Sequence, residues 1–258
     1  MDTESYQPER GHKITAATAA REGEMIVSWF SAGVSSAIAT KMALNKYGDI
    51  KVIYTHIEDQ HEDTMRFIGD CEKWLGVKID ILQSPLKSVN NACRQHGFVN
   101  SPYGAACTRL LKKRVRKEWE MEHGSDCTYV WGFDYSEKDR SDRVVETMPD
   151  NDHIFPLIDG LIDKQAAHGI IERAGIKRPA MYDLGYPNNN CIGCVKGGGG
   201  YWNAIKRDFP DVFKQRCEME RMIGGKVFKE FYLDEMPEYY GRDLKIIVPD
   251  CGLFCELS

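Results

Sequence analysis

Several groups of residues have types and spacings suited to chemistry. Ser31-Ala32-Gly33-Val34-Ser35-Ser36 is a turn of small residues between a β-prone apolar run and a helical pattern. Its hydroxyls and free backbone N–H groups suit a phosphate or sulfate at the helix N-terminus, and Ser31 and Ser35 are equally suited to capping the helix. Cys191 and Cys194 form a CxxC in a turn-rich segment. Two thiolates on one tight loop serve a soft metal, either Zn²⁺ or an iron–sulfur cluster, or a redox dithiol. Metal is favoured, because further cysteines (Cys107, Cys251 and Cys255) also fall in loops, whereas Cys71, Cys93, Cys127 and Cys217 fall in helical or strand patterns and read as small buried hydrophobes.

Two charged stretches add to these. Glu58-Asp59-Gln60-His61-Glu62-Asp63 follows a strand pattern, where an open α/β sheet collects nucleotides or metals; as a plain helix start its acids would complement the dipole, the stronger reading for His61. Arg109, Lys112, Lys113, Arg114, Arg116 and Lys117 place six cations within nine positions, with Leu111, Val115 and Trp119 marking a buried face. That is either a solvated helix face or a surface for a polyanion. A second charged loop, Asp134 to Arg143, carries Glu137, Arg140 and Arg143, which pair with each other or with a ligand.

The elements that must position these residues alternate along the chain. Strands are expected at Met25 to Phe30, Ile50 to Ile57, Val77 to Leu82 and Cys127 to Phe133, with a short edge strand at 154–159. Helices are expected from Ala37 to a stop at Gly48, and over 64–75, 85–96, 108–119, 163–174 and 203–223. Strand and helix in turn predict an α/β fold, a Rossmann-like open parallel sheet flanked by helices, with a cysteine-containing helical C-terminal region. The divisions expected are an extension over 1–23, a nucleotide-binding α/β domain over 24–178, and a Cys-rich region over 179–258 that completes the active site.

The 258 residues give ample core for such a domain. No apolar run approaches the ~20 residues of a membrane helix and the first residues lack a secretory h-region, so a cytoplasmic protein is expected, without a membrane partner. Nine cysteines, an odd number, in a reducing compartment speak for metal or thiol chemistry over a disulfide framework. A net charge of −5 speaks against non-specific coating of nucleic acid, leaving the local basic segment as the exception.

In this order the motifs resemble those of the phosphoadenosine-phosphosulfate reductase family, within the PP-loop adenine-nucleotide α-hydrolases. Ser31 to Ser36 resembles the PP-loop, more commonly Ser-Gly-Gly-x-Asp-Ser. His56, Ile57, Glu58 and Asp59 fall in a segment similar to one near the adenosine. Cys107 with Lys112 resembles a cysteine–lysine motif, and Gly132 to Arg143 a Gly-x-Arg-x-x-Glu-Ser-x-x-Arg loop. Asp250-Cys251-Gly252-Leu253-Phe254 is similar to the C-terminal Glu-Cys-Gly-Leu-His whose cysteine is the nucleophile. The resemblance implies nucleotide binding by Ser31, Ala32, Gly33, Val34, Ser35, Ser36, His56, Ile57, Glu58, Asp59 and Gly132. It implies catalysis by Cys251, Lys112, Arg140 and Arg143, and a [4Fe–4S] cluster on Cys107, Cys191 and Cys194 with Cys255 or Cys251 as the fourth ligand, or with one iron open. Zn²⁺ is the fallback metal. Ala106 stands where the cluster-binding branch has the first cysteine of a pair, and Ser35 where ATP-cleaving relatives hold Mg²⁺ with Asp, a loss that Glu58 or Asp59 would compensate.

The implied activity is an oxidoreductase acting on adenylyl sulfate or its 3′-phosphate, served by a thioredoxin-type reductant. The alternative is a sulfurtransferase that uses ATP to thiolate a base of tRNA or DNA, and a non-catalytic nucleotide or iron–sulfur sensor is a third option. A homo-oligomer is expected.

Overall fold

The computed structural model describes residues 25–101 and 104–249. β1 (Met25–Phe30) leads into α1 (Val34–Tyr47), β2 (Lys51–His56), α2 (Asp63–Leu75), β3 (Ile79–Gln83) and α3 (Val89–His96). A small hairpin, β4 (Asn100–Ser101) with β5 (Gly104–Ala105), precedes a π-helical turn over Thr108–Lys113 that runs on as α4 (Arg114–His123). Then follow β6 (Cys127–Val130), a 3₁₀ turn Tyr135–Glu137, α5 (Lys138–Thr147), β7 (Asp152–Ile154), α6 (Pro156–Asp159), α7 (Lys164–Arg173) and α8 (Ala180–Asp183). α9 (Gly199–Asp208), α10 (Pro210–Ile223) and a 3₁₀ turn Leu233–Glu235 complete the described elements.

The five principal strands are parallel in the order β3-β2-β1-β6-β7, the Rossmann-like arrangement that the alternation predicts. The chain builds outward from β1 to β3 and returns to place β6 and β7 on the other side. The order therefore reverses between β1 and β6, the switch point where such sheets open a crevice at their C-terminal edge. One sheet face packs under α1, α2 and α7 around Val34, Phe67 and Ile171. Trp119 of α4 covers the other, against Val27, Ile53 and Tyr129. A second core joins α3, the π-helical turn, α9 and α10 through Leu111, Met181, Tyr186 and Trp202, and it draws residues from Ile57 to Met236. No helix among the described residues is long and apolar enough to cross a membrane.

Several elements differ from expectation. The helix expected over 203–223 is two, α9 and α10, meeting at Phe209 (φ −136°, ψ 62°). A proline excludes the preceding residue from helical geometry but suits a first helical turn, so Pro210 ends one helix and starts the next. Pro156 likewise begins α6, which takes the place of most of the expected edge strand; the strand itself is Asp152–Ile154. The charged loop from Asp134 is helical from Tyr135: Asp134 accepts from Ser136 N and Glu137 reaches back to Asp134 N, a capping box legible as Asp-x-x-Glu. The basic helix starts with π spacing, Arg114 N–H donating to Arg109 O, a wider turn often found at functional sites.

α7 also carries a buried titratable group. His168 is 1% exposed, neither ring nitrogen has a hydrogen-bond partner among the described residues, and its ring meets Tyr182 edge-on at 4.4 Å. Burial first, then Arg178 and Lys164, pull its pKa from 6.5 down to about 4. Below pH 6.5 the unfolded chain binds a proton that the folded chain refuses, so this contribution is whole above pH 6.5 and is lost as pH falls toward 4. His168 alone should make urea-unfolding stability about 2 kcal/mol lower at pH 5 than at pH 7.5, so His168→Phe should shrink the difference between the two pH values by about that amount.

Candidate active site

β1 ends at Phe30 against the sheet's C-terminal edge, and the next six residues turn sharply into α1. Ala32 takes the left-handed conformation, φ 56°, which glycine adopts without cost and an alanine does not. Gly33 is the N-cap and no side chain caps the helix, so Ser31 and Ser35 do not act as caps here. The turn is closed by Ser36 instead. Its hydroxyl accepts from Ser31 N and from Ser31 Oγ (3.0 Å) and donates to Gly33 O (2.9 Å).

Two residues from the far end of the chain fasten the turn. Tyr182 Oη accepts from Val34 N at 3.4 Å, and Asn189 Nδ2 donates to Ala32 O at 2.8 Å. The N–H groups of Ser35 and Ser36 have no acceptor among the described residues and face the helix's positive end. Gly132, just past β6, crosses this helix start so closely that a Cβ there would stand 2.5 Å from Ser36 Cα. Only glycine lets the two strand ends approach at the switch point.

A cavity of about 560 Å³ opens beside the turn. Trp29, Tyr54 and Trp131 line it, together with Lys112, Lys113, Arg116 and Lys117 of the basic helix and Arg140 of α5. Trp131 and Phe133 are stacked at 5.8 Å and 15°, with the Arg140 guanidinium 4.4 Å from the Phe133 ring centre. No Asp or Glu among the described residues lines the cavity. Arg116 and Arg140 have carboxylate partners, Glu120 at 3.1 Å and Glu137 at 2.7 Å, while Lys112, Lys113 and Lys117 have none among the described residues.

Of the residues expected to bind nucleotide, Ser31, Ser36 and Gly132 line this cavity, Gly33 and Ser35 are part-exposed beside it, and Ala32 and Val34 are buried within the turn. Lys112 and Arg140 line it too, while Arg143 is exposed on α5 and does not. The segment after β2 divides differently. His56 Nδ1 lies 3.5 Å from Tyr54 Oη, Ile57 is buried in the second core, and Glu58 pairs with Lys87 at 3.9 Å. Asp59 accepts from Arg216 and from Val89 N. Neither Glu58 nor Asp59 reaches the cavity, so neither replaces the carboxylate missing at Ser35, and the lining does not fit a protein-held Mg²⁺. Tyr54, Thr55 and Gln60 line the cavity in their stead; Gln60 Oε1 accepts from Tyr54 Oη and Ile57 N.

The CxxC loop lies on the second core. Tyr201 Oη accepts from Cys194 N (2.8 Å) and donates to Cys191 O (2.9 Å). Gly193 takes φ 70°, and Arg216, 1% exposed, donates to Gly193 O, Ile192 O, Asn90 Oδ1 and Asp59. Ile192 N also donates to Asp59 O at 2.7 Å. Burial raises the Cys107 thiol, the neighbouring Cys194 adding to it, and pushes Cys191 up to about 12 against the pull of Lys112. Cys107, Cys191 and Cys194 therefore share one neighbourhood, and Lys112, which lines the cavity, is near enough for its charge to act on Cys107 and Cys191.

Three such thiols are the donor chemistry of a soft metal. Among the described residues no three His, Cys, Asp or Glu side chains are placed to hold an ion, so this geometry does not close around one. Cys251 and Cys255 lie outside the described residues. Cys71, Cys93, Cys127 and Cys217 are buried, as their patterns predict. Tyr182, Asn189, Tyr201 and Arg216 escape a motif reading; the one local signal is the asparagine run that precedes Cys191.

A family model described as the phosphoadenosine phosphosulfate reductase domain matches residues 25–197, from the first residue of β1 past the CxxC. A search of curated proteins finds no match.

Removing Arg216 would leave the half-buried Asp59 without its cation and free three carbonyl acceptors. Arg216→Ala should cost about 3–5 kcal/mol in urea unfolding. A loss under 1 kcal/mol would mean that the guanidinium does not hold the loop.

Proposed function

The chain belongs to the phosphoadenosine phosphosulfate reductase family, and from that premise we propose that it is an enzyme that binds an adenine nucleotide, adenylyl sulfate or its 3′-phosphate, for thiol-dependent sulfur chemistry. The observation that carries the reading is the carboxylate-free cavity, which joins the Ser31–Ser36 turn to Lys112 and Arg140 at the switch point. A phosphosulfate brings its own negative charge, and the N–H groups of Ser35 and Ser36 with these cations would neutralise it. Trp29 and Trp131 offer apolar surface to a base or ribose. Because no carboxylate among the described residues lines the cavity, the reading assigns charge neutralisation to lysine and arginine, which favours a sulfonucleotide over Mg²⁺–ATP and weighs against an ATP-driven sulfurtransferase.

In the proposed reaction the Cys251 thiolate attacks the sulfur of the bound sulfate. An S–S bond forms, the S–O bond to the nucleotide phosphate breaks, and the nucleotide leaves with that electron pair. A thioredoxin-type dithiol then displaces sulfite, becomes a disulfide and returns Cys251 to the thiol. Lys112 and Arg140 would stabilise charge on the leaving phosphate, with Arg143 available from the next turn of α5. The [4Fe–4S] cluster remains a proposal supported by the shared neighbourhood of Cys107, Cys191 and Cys194. It would supply a positively polarised, soft metal surface beside Lys112, and no step above passes through it.

Isothermal titration with adenylyl sulfate and with its 3′-phosphate should show binding that EDTA leaves unchanged and that Lys112→Ala weakens at least tenfold. Sulfur-labelled substrate should mark Cys251 under anaerobic conditions; an unlabelled Cys251 with bound nucleotide would sink the reductase step. After anaerobic reconstitution, iron and sulfide in equal amounts with broad visible absorbance should accompany the protein, whereas a colourless zinc protein would replace the cluster.

A further inference from the structure

Two residues that line the cavity, Trp131 and Met148, are tied together by a histidine on β7 that no motif singles out. His153 Nδ1 lies 3.1 Å from the indole Nε1 of Trp131, and its Nε2 lies 2.9 Å from the carbonyl oxygen of Met148, just past the end of α5. An indole N–H only donates and a carbonyl only accepts, so the two partners fix the ring between them: Nδ1 is bare and accepts, while Nε2 carries the proton and donates. The imidazole must be neutral, because a proton on Nδ1 would set two donors against each other. Its surroundings keep it so. Burial, the largest influence, lowers the His153 pKa from 6.5; the Met148 carbonyl and Asp152, its neighbour on β7, pull it up, and Arg116 of α4 pushes it down. Of the other rings beside it, Tyr129 of β6 is 6.3 Å away with its hydroxyl donated to Glu120, and Phe155, at 6.2 Å, carries no charge. Arg116 Nη1 also donates to Met148 Sδ at 3.0 Å. Arg116, Met148, His153 and Trp131 thus form one chain of contacts, of which Arg116, Met148 and Trp131 line the cavity.

We propose that His153, in its neutral form with the proton on Nε2, is a positioning residue: its bare Nδ1 fixes the Trp131 indole in the cavity wall, and affinity for the nucleoside part of the ligand depends on that bond. The inference rests on the nucleotide reading of the cavity for the identity of the ligand; the link between the two side chains stands on its own geometry. The charged end of the ligand falls to the Ser31–Ser36 turn, Lys112 and Arg140, none of which is hydrogen-bonded to His153. Loss of the histidine therefore acts on the nucleoside and spares the anion.

The test is calorimetric titration of the full chain with adenylyl sulfate, and with inorganic pyrophosphate as the anion alone, beside nitrogen NMR of the imidazole and indole groups. His153→Leu should weaken adenylyl sulfate about fivefold or more, the worth of one hydrogen bond, leave pyrophosphate within about twofold, and move the Trp131 indole N–H resonance. His153→Asn, whose side-chain oxygen takes the place of Nδ1, should recover most of the affinity; His153→Gln, which replaces only the donor to Met148, should not. In a Trp131→Phe background, which has no indole N–H to hold, His153→Leu should cost nothing further. The phosphosulfate stays ionised over the range studied, so wild-type affinity should fall as pH is lowered through the His153 pKa that NMR reads, and His153→Asn should lack that acid limb. Unchanged affinity in His153→Leu, an equal loss of pyrophosphate, the same loss in the Trp131→Phe background, or an acid limb that persists in His153→Asn would each overturn the proposal. Thermal unfolding identifies any misfolded variant; if His153→Leu is one, the comparison of His153→Asn with His153→Gln decides. Failure of the wild-type chain to bind adenylyl sulfate would defeat the nucleotide reading, while the Trp131 indole resonance, followed as His153 is titrated, still decides the link: a resonance that ignores the titration defeats it.

Discussion

The arrangement around the CxxC depends on one buried guanidinium. Arg216 reaches from α10 to two carbonyls of the cysteine loop, to Asn90 in α3 and to Asp59 at the end of β2. Asp59 in turn accepts from the first N–H of α3. A charge so enclosed is tolerated only when every hydrogen bond is met, and the geometry that meets them fixes three segments far apart in sequence at once. The cysteines are therefore placed by a sheet edge and two helices, and not by the flexibility of their own turn. Tyr201 adds a second clamp on the same loop.

The same region shows how charge has been sorted. Carboxylates that follow β2 are turned away from the cavity: Asp59 is taken by Arg216, Asp63 by Arg66 and Ala180 N, and Glu58 lies beside Lys87. Arg66, held by Asp63 and Asp70, donates to the carbonyls of Lys177 and Arg178 and so joins α2 to the segment before α8. What is left at the cavity is positive. An acidic protein with a positive cavity steers anions to one place, since repulsion from the rest of the surface and attraction at the mouth act together.

Much of this was legible in the residues. β-branched runs such as Ile50 to Ile57 mark buried parallel strands because both faces of the sheet are covered, and Leu111, Val115 and Trp119 at helical spacing mark the buried face of the basic segment, as observed. The small-residue turn and the CxxC stand out because their chemistry is local. The fastenings do not. Arg216 sits in an amphipathic pattern where an arginine reads as solvent-exposed, and its partner Asp59 lies 157 positions away. Nothing local distinguishes a buried arginine from a surface one. Tyr182 and Asn189 fail for the same reason, being side chains whose partners are backbone groups of a distant turn. The division of α9 from α10 was legible at Pro210, where a simple rule about the residue before proline outweighs continuous helical periodicity.

The glycine run 197–200 invites comparison with phosphate-cradling loops, yet Gly197 faces the Tyr201 ring, and Gly199 and Gly200 face backbone. A Cβ at Gly199 would meet Tyr240 O and one at Gly200 would meet Arg242 O, while Asn203 Nδ2 donates to Tyr240 O. The start of α9 is thus a seam against residues 240–243. A growing chain emerges from the ribosome in order, so α9 can form and dock on the second core well before those residues exist. The seam stays open, with bare glycine backbone facing water, until synthesis has passed residue 243. Closing it requires residues 240–243 to be laid against the start of α9, so a nascent chain stalled short of them would leave that glycine backbone uncovered.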